Sequence, residues 1–237
     1  MQLDESISLL GNIIRASLGK QKDAALAFSG GLDSTLLMAL SGYRLKPYTV
    51  GYSDSHDIAR ARHVSDLLGF RAREIILDNS DLTEVVSAIM AIDPSIGKQE
   101  IGYEIVLYYT LSEITEDNLV TGQGADEIFY GYRRFIDNPG LVNDGYLEKL
   151  FHKTLPREKN IAGIFSKHLV TPYLDPVIVK AFSGLSRDVN VIGNVNKIQI
   201  RNLARNAGLP EEIWGFRKKA AQYGSGVQKR LNKVPDL

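Results

Sequence analysis

The run Phe28-Ser29-Gly30-Gly31-Leu32-Asp33-Ser34 carries the residue types that hold a phosphate. Two glycines let the main chain approach an anion with no side chain between, and Ser29 and Ser34 offer hydroxyls. An apolar strand-like stretch, Ala24 to Ala27, precedes the turn, and a helix-like stretch, Thr35 to Leu40, follows it. Such a helix aims its free N–H groups and positive dipole end at the same spot. Asp33 is repulsive beside a phosphate unless a cation intervenes, which argues for a nucleotide bound with Mg²⁺. Taken alone, the glycine pair is accounted for equally well by an ordinary strand-to-helix turn.

A second run, Thr121-Gly122-Gln123-Gly124-Ala125-Asp126-Glu127, closes with Gly131-Tyr132. It is not a dinucleotide fingerprint, because the third glycine of that pattern would fall where Glu127 stands. It is another backbone-exposing turn followed by carboxylates. Mg²⁺ held with nucleotide phosphates takes one or two protein carboxylates, a role that suits Asp33 and Asp126. The alternative is that Asp126 and Glu127 cap the helix that follows. His56, His63, His152 and His168 make no close metal-ligand spacing and read as surface or packing residues. Tyr103, Tyr108 and Tyr109 fall in an apolar helix and read as core.

The elements that must position these turns alternate. Ile7, Leu10, Ile13, Ile14 and Leu18 predict an amphipathic helix stopped at Gly19. Residues 47–52 and 73–77 predict strands, 56–68 a helix ended by Gly69, 81–91 and 100–114 helices, and 118–121 a strand leading into the second turn. That order means a parallel sheet with right-handed crossovers, whose ligands gather beyond the strands' carboxyl ends. From about Asp137 strand patterns disappear, and helical stretches at 144–151, 175–182 and 195–207 alternate with Pro and Gly. We expect an α/β nucleotide-binding domain over 1–136 and a helical lobe with a basic tail over 137–237, the two completing one site. The 237 residues carry 28 basic and 28 acidic side chains and no cysteine. This composition gives no electrostatic reason for a nucleic-acid or membrane partner, and it excludes disulfides and cysteine nucleophiles in these residues. With no basic leader and no membrane-length apolar run, a cytoplasmic location is expected.

Ser29-Gly30-Gly31-Leu32-Asp33-Ser34 resembles the pyrophosphate loop of the N-type ATP pyrophosphatases, the adenine nucleotide alpha hydrolase-like fold. The turn at 122–127 with Gly131-Tyr132 resembles the synthetase domain of asparagine synthetases and their β-lactam synthetase relatives. Further similarities follow in order: Thr49-Val50-Gly51-Tyr52 with Asp57, Thr171-Pro172-Tyr173-Leu174-Asp175, Lys197 with Arg201, and Arg217-Lys218-Lys219 before Gly224-Ser225-Gly226. They span about residues 20–230. The resemblance implies a parallel twisted sheet with helices on both faces plus a C-terminal helical lobe. It also implies an ATP- and Mg²⁺-dependent, AMP-forming ligase: ATP adenylates a carboxylate, pyrophosphate leaves, and an amine or ammonia displaces AMP to form an amide. By the same similarity Phe28 and Val50 line the adenine site through their backbones, and Thr121 and Gly122 approach the nucleotide. Ser29, Gly30, Gly31 and Ser34 cradle pyrophosphate, and Asp33 and Asp126 hold Mg²⁺. Lys197, and Lys219 or its neighbour Lys218, face phosphate or developing charge; the competing reading makes each a solvated lysine.

Three departures from the pattern qualify these implications. The family's asparagine synthetases begin with a glutaminase domain whose nucleophile is the cysteine after Met1, where Gln2 stands here. Ammonia or another amine is therefore expected from solution or from a separate glutaminase subunit. Gln123 replaces the glutamate of asparagine synthetases and the tyrosine of β-lactam synthetases, and an amide cannot take a proton. The β-lactam type pairs its tyrosine with a lobe glutamate, and Glu158 falls in the matching region, as a relay partner of Gln123 or as a surface residue. His168-Leu169-Val170 stands in place of a Glu-x-Arg, which puts aspartate as substrate in doubt. Alternatives are ammonia-dependent NAD synthesis, tRNA-base modification, or a catalytically altered ATP/AMP-binding regulatory module. The carboxylate, the amine and any homo-oligomer are left open.

Overall fold

Five parallel strands run in the order β3-β2-β1-β4-β5 in the computed structural model, which describes residues 3–215 and 224–232. They are β1 (Ala25–Ala27), β2 (Lys46–Gly51), β3 (Arg73–Ile76), β4 (Asn118–Val120) and β5 (His168–Val170). The chain moves outward from β1 through β2 to β3, then returns to the other side of β1 with β4. Ala25 pairs with Lys46 on one side and with Leu119 on the other. The point where the strand order reverses lies between β1 and β4, the place where open parallel sheets bind ligands. Both glycine turns leave the sheet there.

The fifth strand corrects the expectation that strands end before residue 137. β5 is only three residues long, and its pairing of His168, Leu169 and Val170 with Asn118, Leu119 and Val120 is fixed by contacts far away in sequence. Three residues are too few to display a period. Strand β5 and the buried Ile178, Phe182 and Ile200, all beyond residue 137, belong to the same sheet and core as Leu26 and Leu36.

Helices cover both faces. α1 (Leu3–Gly19) and α2 (Leu32–Leu40) pack on the face presented by Leu26 and Val120. α4 (Leu82–Ile92) and α5 (Lys98–Glu113) pack on the face presented by Ala25 and Leu119. Neighbouring strand residues thus enter opposite cores, as a period of two requires. α3 (His56–Leu68) begins at Ser55, whose hydroxyl accepts from the Ile58 N–H, and ends at Gly69 in the left-handed conformation. This is the stop the sequence predicts. A longer helical passage over 144–164 contains a π turn at Leu150–Thr154, directly before Pro156. Proline has no N–H and its ring crowds the carbonyl four residues back, so a widened turn relieves both defects. Among the described residues, no helix is long and apolar enough to cross a membrane.

One buried acid anchors the start of β2. Glu116 is 3% exposed and accepts hydrogen bonds from the Tyr48 hydroxyl at 3.0 Å and from Lys46, whose Nζ lies 2.8 Å from its carboxylate. Burial alone would raise its pKa, but the Lys46, backbone and Tyr48 bonds outweigh burial and hold it at about 2. A depressed acid stabilises the fold above its unfolded value of about 4.3 and loses that contribution as pH falls toward the folded value. Glu116→Gln is expected to lower stability near pH 6 by about 1–3 kcal/mol in urea unfolding. The deficit should shrink between about pH 4.5 and 2.5; a constant deficit over that range would disprove the account.

Candidate active site

Strand order alone brings the two turns together, and glycine lets them touch. Gly30 has φ +66°, and a Cβ there would lie 2.9 Å from the Arg60 carbonyl of α3, which passes directly beneath. Arg60 returns the contact, its Nε donating to the Gly30 carbonyl at 3.2 Å. α2 starts after Gly31 with no side chain capping it, so its first N–H groups face the cavity above the turn. The Ser29 N–H donates to the Ser34 hydroxyl at 3.4 Å. In the second turn, a Cβ on Gly122 would stand 3.3 Å from the Asp33 Cβ. Gly124 has φ +90° and sits against Leu174, which occupies the space a side chain would need.

Among the described residues, one ammonium lies between the turns. Lys197 Nζ donates to both Asp33 carboxylate oxygens at 2.8 Å, and it is 2.6 Å from Asp126 Oδ1. Lys197 is 4% exposed, and its backbone is left-handed, φ 54°, immediately before the helix Ile198–Asn206. The solvated-face alternative for this lysine is excluded. Gly131 permits the arrangement, since a Cβ there would meet Asp126 Oδ1 at 1.9 Å and Lys197 Cε at 2.1 Å. Asp126 lies in the first turn of the short helix α6 (Ala125–Ile128), whose cap position is Gly124, and its Oδ1 faces Lys197. The buried Tyr173 hydroxyl donates to the Asp33 carbonyl at 3.1 Å and ties the Thr171–Asp175 segment to the first turn.

A cavity of about 530 Å³ opens over these turns. Phe28, Ser29, Gly31, Asp33 and Ser34 line it from β1, Val50 from β2, and Thr121, Gly122, Gln123 and Asp126 from β4. Gly30 supports this wall from beneath. Both polar backbone groups of Phe28 are engaged, its N–H with the Tyr48 carbonyl at 2.8 Å and its carbonyl with the Thr49 hydroxyl at 2.6 Å. Only the carbonyl's second lone pair is left for a base. Lys218 and Lys219 lie outside the described residues. Their described flanks are anchored: Gly215 follows the carbonyl of Trp214, to which Arg201 donates, and Gly224 abuts the Asp57 carboxylate. The Ser225 carbonyl accepts from the Tyr52 N–H at 3.0 Å, so the final glycine segment returns to the end of β2.

Opposite the phosphate turns the cavity is acidic. Gln123 Nε2 donates to Glu158 Oε1 at 3.0 Å, which joins the two residues the sequence pairs. Glu158 is 8% exposed and not a surface residue. Burial raises its pKa well above the usual carboxylate range, helped by the negative Glu104 and Glu127 and opposed by Arg157. Burial and the adjacent Asp126 also raise Glu127, whose Oε1 accepts from the Tyr132 hydroxyl at 2.5 Å. Glu104 is pushed up to about 7 by burial although Arg157 Nε donates to it at 2.7 Å. Arg157 also meets Asp93 at 2.9 Å and Glu100 at 3.5 Å, so one buried guanidinium serves three acids. Tyr103 is half-buried and lines the cavity, which corrects its assignment to the core. The sequence reading gave Glu127, Tyr132 and Arg157 no site role. The signal for Arg157 was a charged pair, Arg157-Glu158, set between apolar helix positions.

The pair Asp33 and Asp126 fits a magnesium ion that takes one or two carboxylates and completes its shell with phosphate oxygens and water, because both already converge on one cation. Among the described residues no group of three or more His, Asp or Glu is placed to hold a metal by itself. Lys197→Met would remove the ammonium that the two partly or fully buried carboxylates share. We expect it to cost about 3–5 kcal/mol in stability. Millimolar Mg²⁺ should then raise the melting temperature of the variant more than that of the parent, and equal shifts would show that the carboxylates are not a cation site.

The asparagine synthase family model matches residues 7–169. "Putative asparagine synthetase 1", a glutamine-hydrolyzing type from Methanocaldococcus jannaschii, is 26% identical over 274 residues, covering 96% of this chain and 50% of the relative. The glutamine-hydrolyzing asparagine synthetase of Homo sapiens is 23% identical over 236 residues, covering 91% of this chain and 42% of the relative. The chain spans about half, or less, of the length of these relatives. Among solved structures, NMN synthetase from Francisella tularensis is 13% identical with a TM-score of 0.44, covering 100% of this chain and 89% of that one.

Proposed function

The chain belongs to the asparagine synthase family, and on that premise we propose that it forms amides by activating a carboxylic acid as an acyl-adenylate. The observation that carries this reading is the shared cation position: Lys197 Nζ within 2.8 Å of Asp33 and 2.6 Å of Asp126, at the meeting point of both glycine turns. A nucleotide triphosphate laid over the turn at 28–34 would place its phosphates against the open N-terminus of α2 and the Ser29 and Ser34 hydroxyls, with the base toward Val50 and Phe28. Mg²⁺ held by Asp33 and Asp126 would neutralise phosphate charge. The substrate carboxylate oxygen attacks the α-phosphorus. The bond from that phosphorus to the bridging oxygen breaks, and its electron pair leaves with pyrophosphate. The amine nitrogen then attacks the acyl carbon, AMP departs with the carbonyl–oxygen bond pair, and the nitrogen sheds a proton. Lys197 donates to charge at the phosphate end.

The proton acceptor in this reading is Glu158. Gln123 cannot take a proton, but its amide fixes one Glu158 oxygen and leaves the other for the incoming amine. A carboxylate with an elevated pKa is a stronger base than an ordinary one. Because the base acts ionised, amide formation should rise with pH through an apparent pKa above the normal glutamate range. Glu158→Gln should remove that limb and lower the rate by about 10²–10⁴. A limb that survives in Glu158→Gln assigns it to another group.

The reading is tested with ATP, Mg²⁺, ammonium and a broad panel of carboxylic acids, following pyrophosphate and AMP. Equal amounts of both, released only when a particular acid is present, are expected. ATP binding without turnover across the panel would favour a nucleotide-sensing role instead. Asp126→Asn should weaken ATP binding in Mg²⁺ at least about ten-fold, as loss of a charged contact does; unchanged affinity would remove Asp126 from the metal role.

A further inference from the structure

Lys197 also lines a second cavity, of about 430 Å³, that shares only Asp33 and Asp126 with the first. The two cavities differ, among the described residues, in the charged side chains that line them. Among the described residues, Asp33, Asp57, Glu100, Asp126, Glu127 and Glu158 line the first with Arg134 and Lys149, Glu100 being paired with Lys149 and Arg157. Four bases, Arg133, Lys197, Arg201 and Arg205, line the second against the two shared aspartates, and the side-chain amides of Asn194, Asn196 and Asn202 join them. The positive charge is partly fixed in place: Arg201 Nε donates to the Asn196 carbonyl at 2.6 Å, and a second nitrogen reaches Asn196 Oδ1 at 3.2 Å. One helical turn further on, Arg205 is exposed and forms no ion pair among the described residues. Arg133 is held only by an exposed pair with Asp137 at 2.9 Å, a contact worth little in water. The helix carrying Arg201 and Arg205 starts at Lys197 without a capping side chain, so its positive end also meets the shared wall.

We propose that this second cavity receives and releases inorganic pyrophosphate. The inference rests on the adenylation reading and extends it: nucleotide and acid occupy the acidic cavity, and the leaving diphosphate passes the Asp33, Lys197 and Asp126 wall into the basic one. The path past Lys197 leads toward Arg201, Asn202 and Arg205. The wall is thin because Gly131 contributes no side chain to it. This assigns Arg205 and Arg133 a ligand that neither would meet if product left by the substrate's entrance.

The test is calorimetric titration of inorganic pyrophosphate and, separately, ATP, both with Mg²⁺, into the parent chain and into Arg205→Glu, Arg133→Glu and Arg205→Lys. Both reversed residues are exposed, and circular dichroism is to be used to check that each variant folds. Each reversal should weaken pyrophosphate binding about ten-fold while ATP affinity moves less than about two-fold, and Arg205→Lys should retain most of the pyrophosphate affinity. Unchanged pyrophosphate affinity in both reversals, or equal losses for ATP and pyrophosphate, overturns the chamber. If pyrophosphate binds and responds to Arg205→Glu but ATP does not bind, the chamber stands and the adenylation reading falls. If the parent chain binds neither, both fall together.

Discussion

One ammonium shared between two carboxylates holds the site together. Placing Lys197 in a left-handed backbone costs on the order of 1–2 kcal/mol, and removing its charge from water costs more. Asp33 and Asp126 return that energy only if the turns carrying them lie side by side. The sheet ensures this by setting β1 against β4, so residues almost a hundred positions apart emerge as neighbours. Gly122 and Gly131 then leave room for the loops to meet, and Gly30 lets the first turn sit on α3. Disturbing any of these parts uncovers a buried charge.

The opposite wall obeys a different balance. Arg157 faces Asp93, Glu100 and Glu104, while burial raises the pKa of Glu127 and Glu158, which are held by Tyr132 and Gln123. Acids under such strain are poised to exchange a proton, which is the property an amide-forming site needs where nitrogen loses one. Structure and proposed chemistry meet here: the arrangement that makes these carboxyls costly in the resting chain makes one of them useful as a base.

Much of this was legible in the residues. Strand-turn-helix order predicts the parallel sheet, Gly69 stops α3 where expected, and the two glycine turns, each ambiguous alone, point to one site when taken together. The rest depends on partners distant in the chain. Nothing around His168 to Val170 distinguishes a three-residue edge strand from loop until β4 is beside it. From sequence Lys197 stands between a phosphate-facing and a solvated lysine, because its burial is set by Asp33, 164 positions away. Tyr103 reads as core because an apolar helix face that borders a cavity has the same pattern as one that borders other side chains. The pairing of Gln123 with Glu158 came from resemblance, and residue spacing alone would not have produced it.

The π turn before Pro156 has a geometric effect on the cavity's lining. An α-helix advances about 100° per residue, so Tyr146 and Glu158, twelve positions apart, would diverge by roughly 120° on an unbroken helix. Absorbing one surplus residue at Leu150–Thr154 rotates the later segment back by about 100°, which leaves the two side chains nearly in phase. Both line the same hollow. The widened coil thus acts as an angular spacer: deleting one residue within it would restore an ordinary helix with Glu158 still in register, whereas straightening it at full length would swing Glu158 out of the chamber it serves.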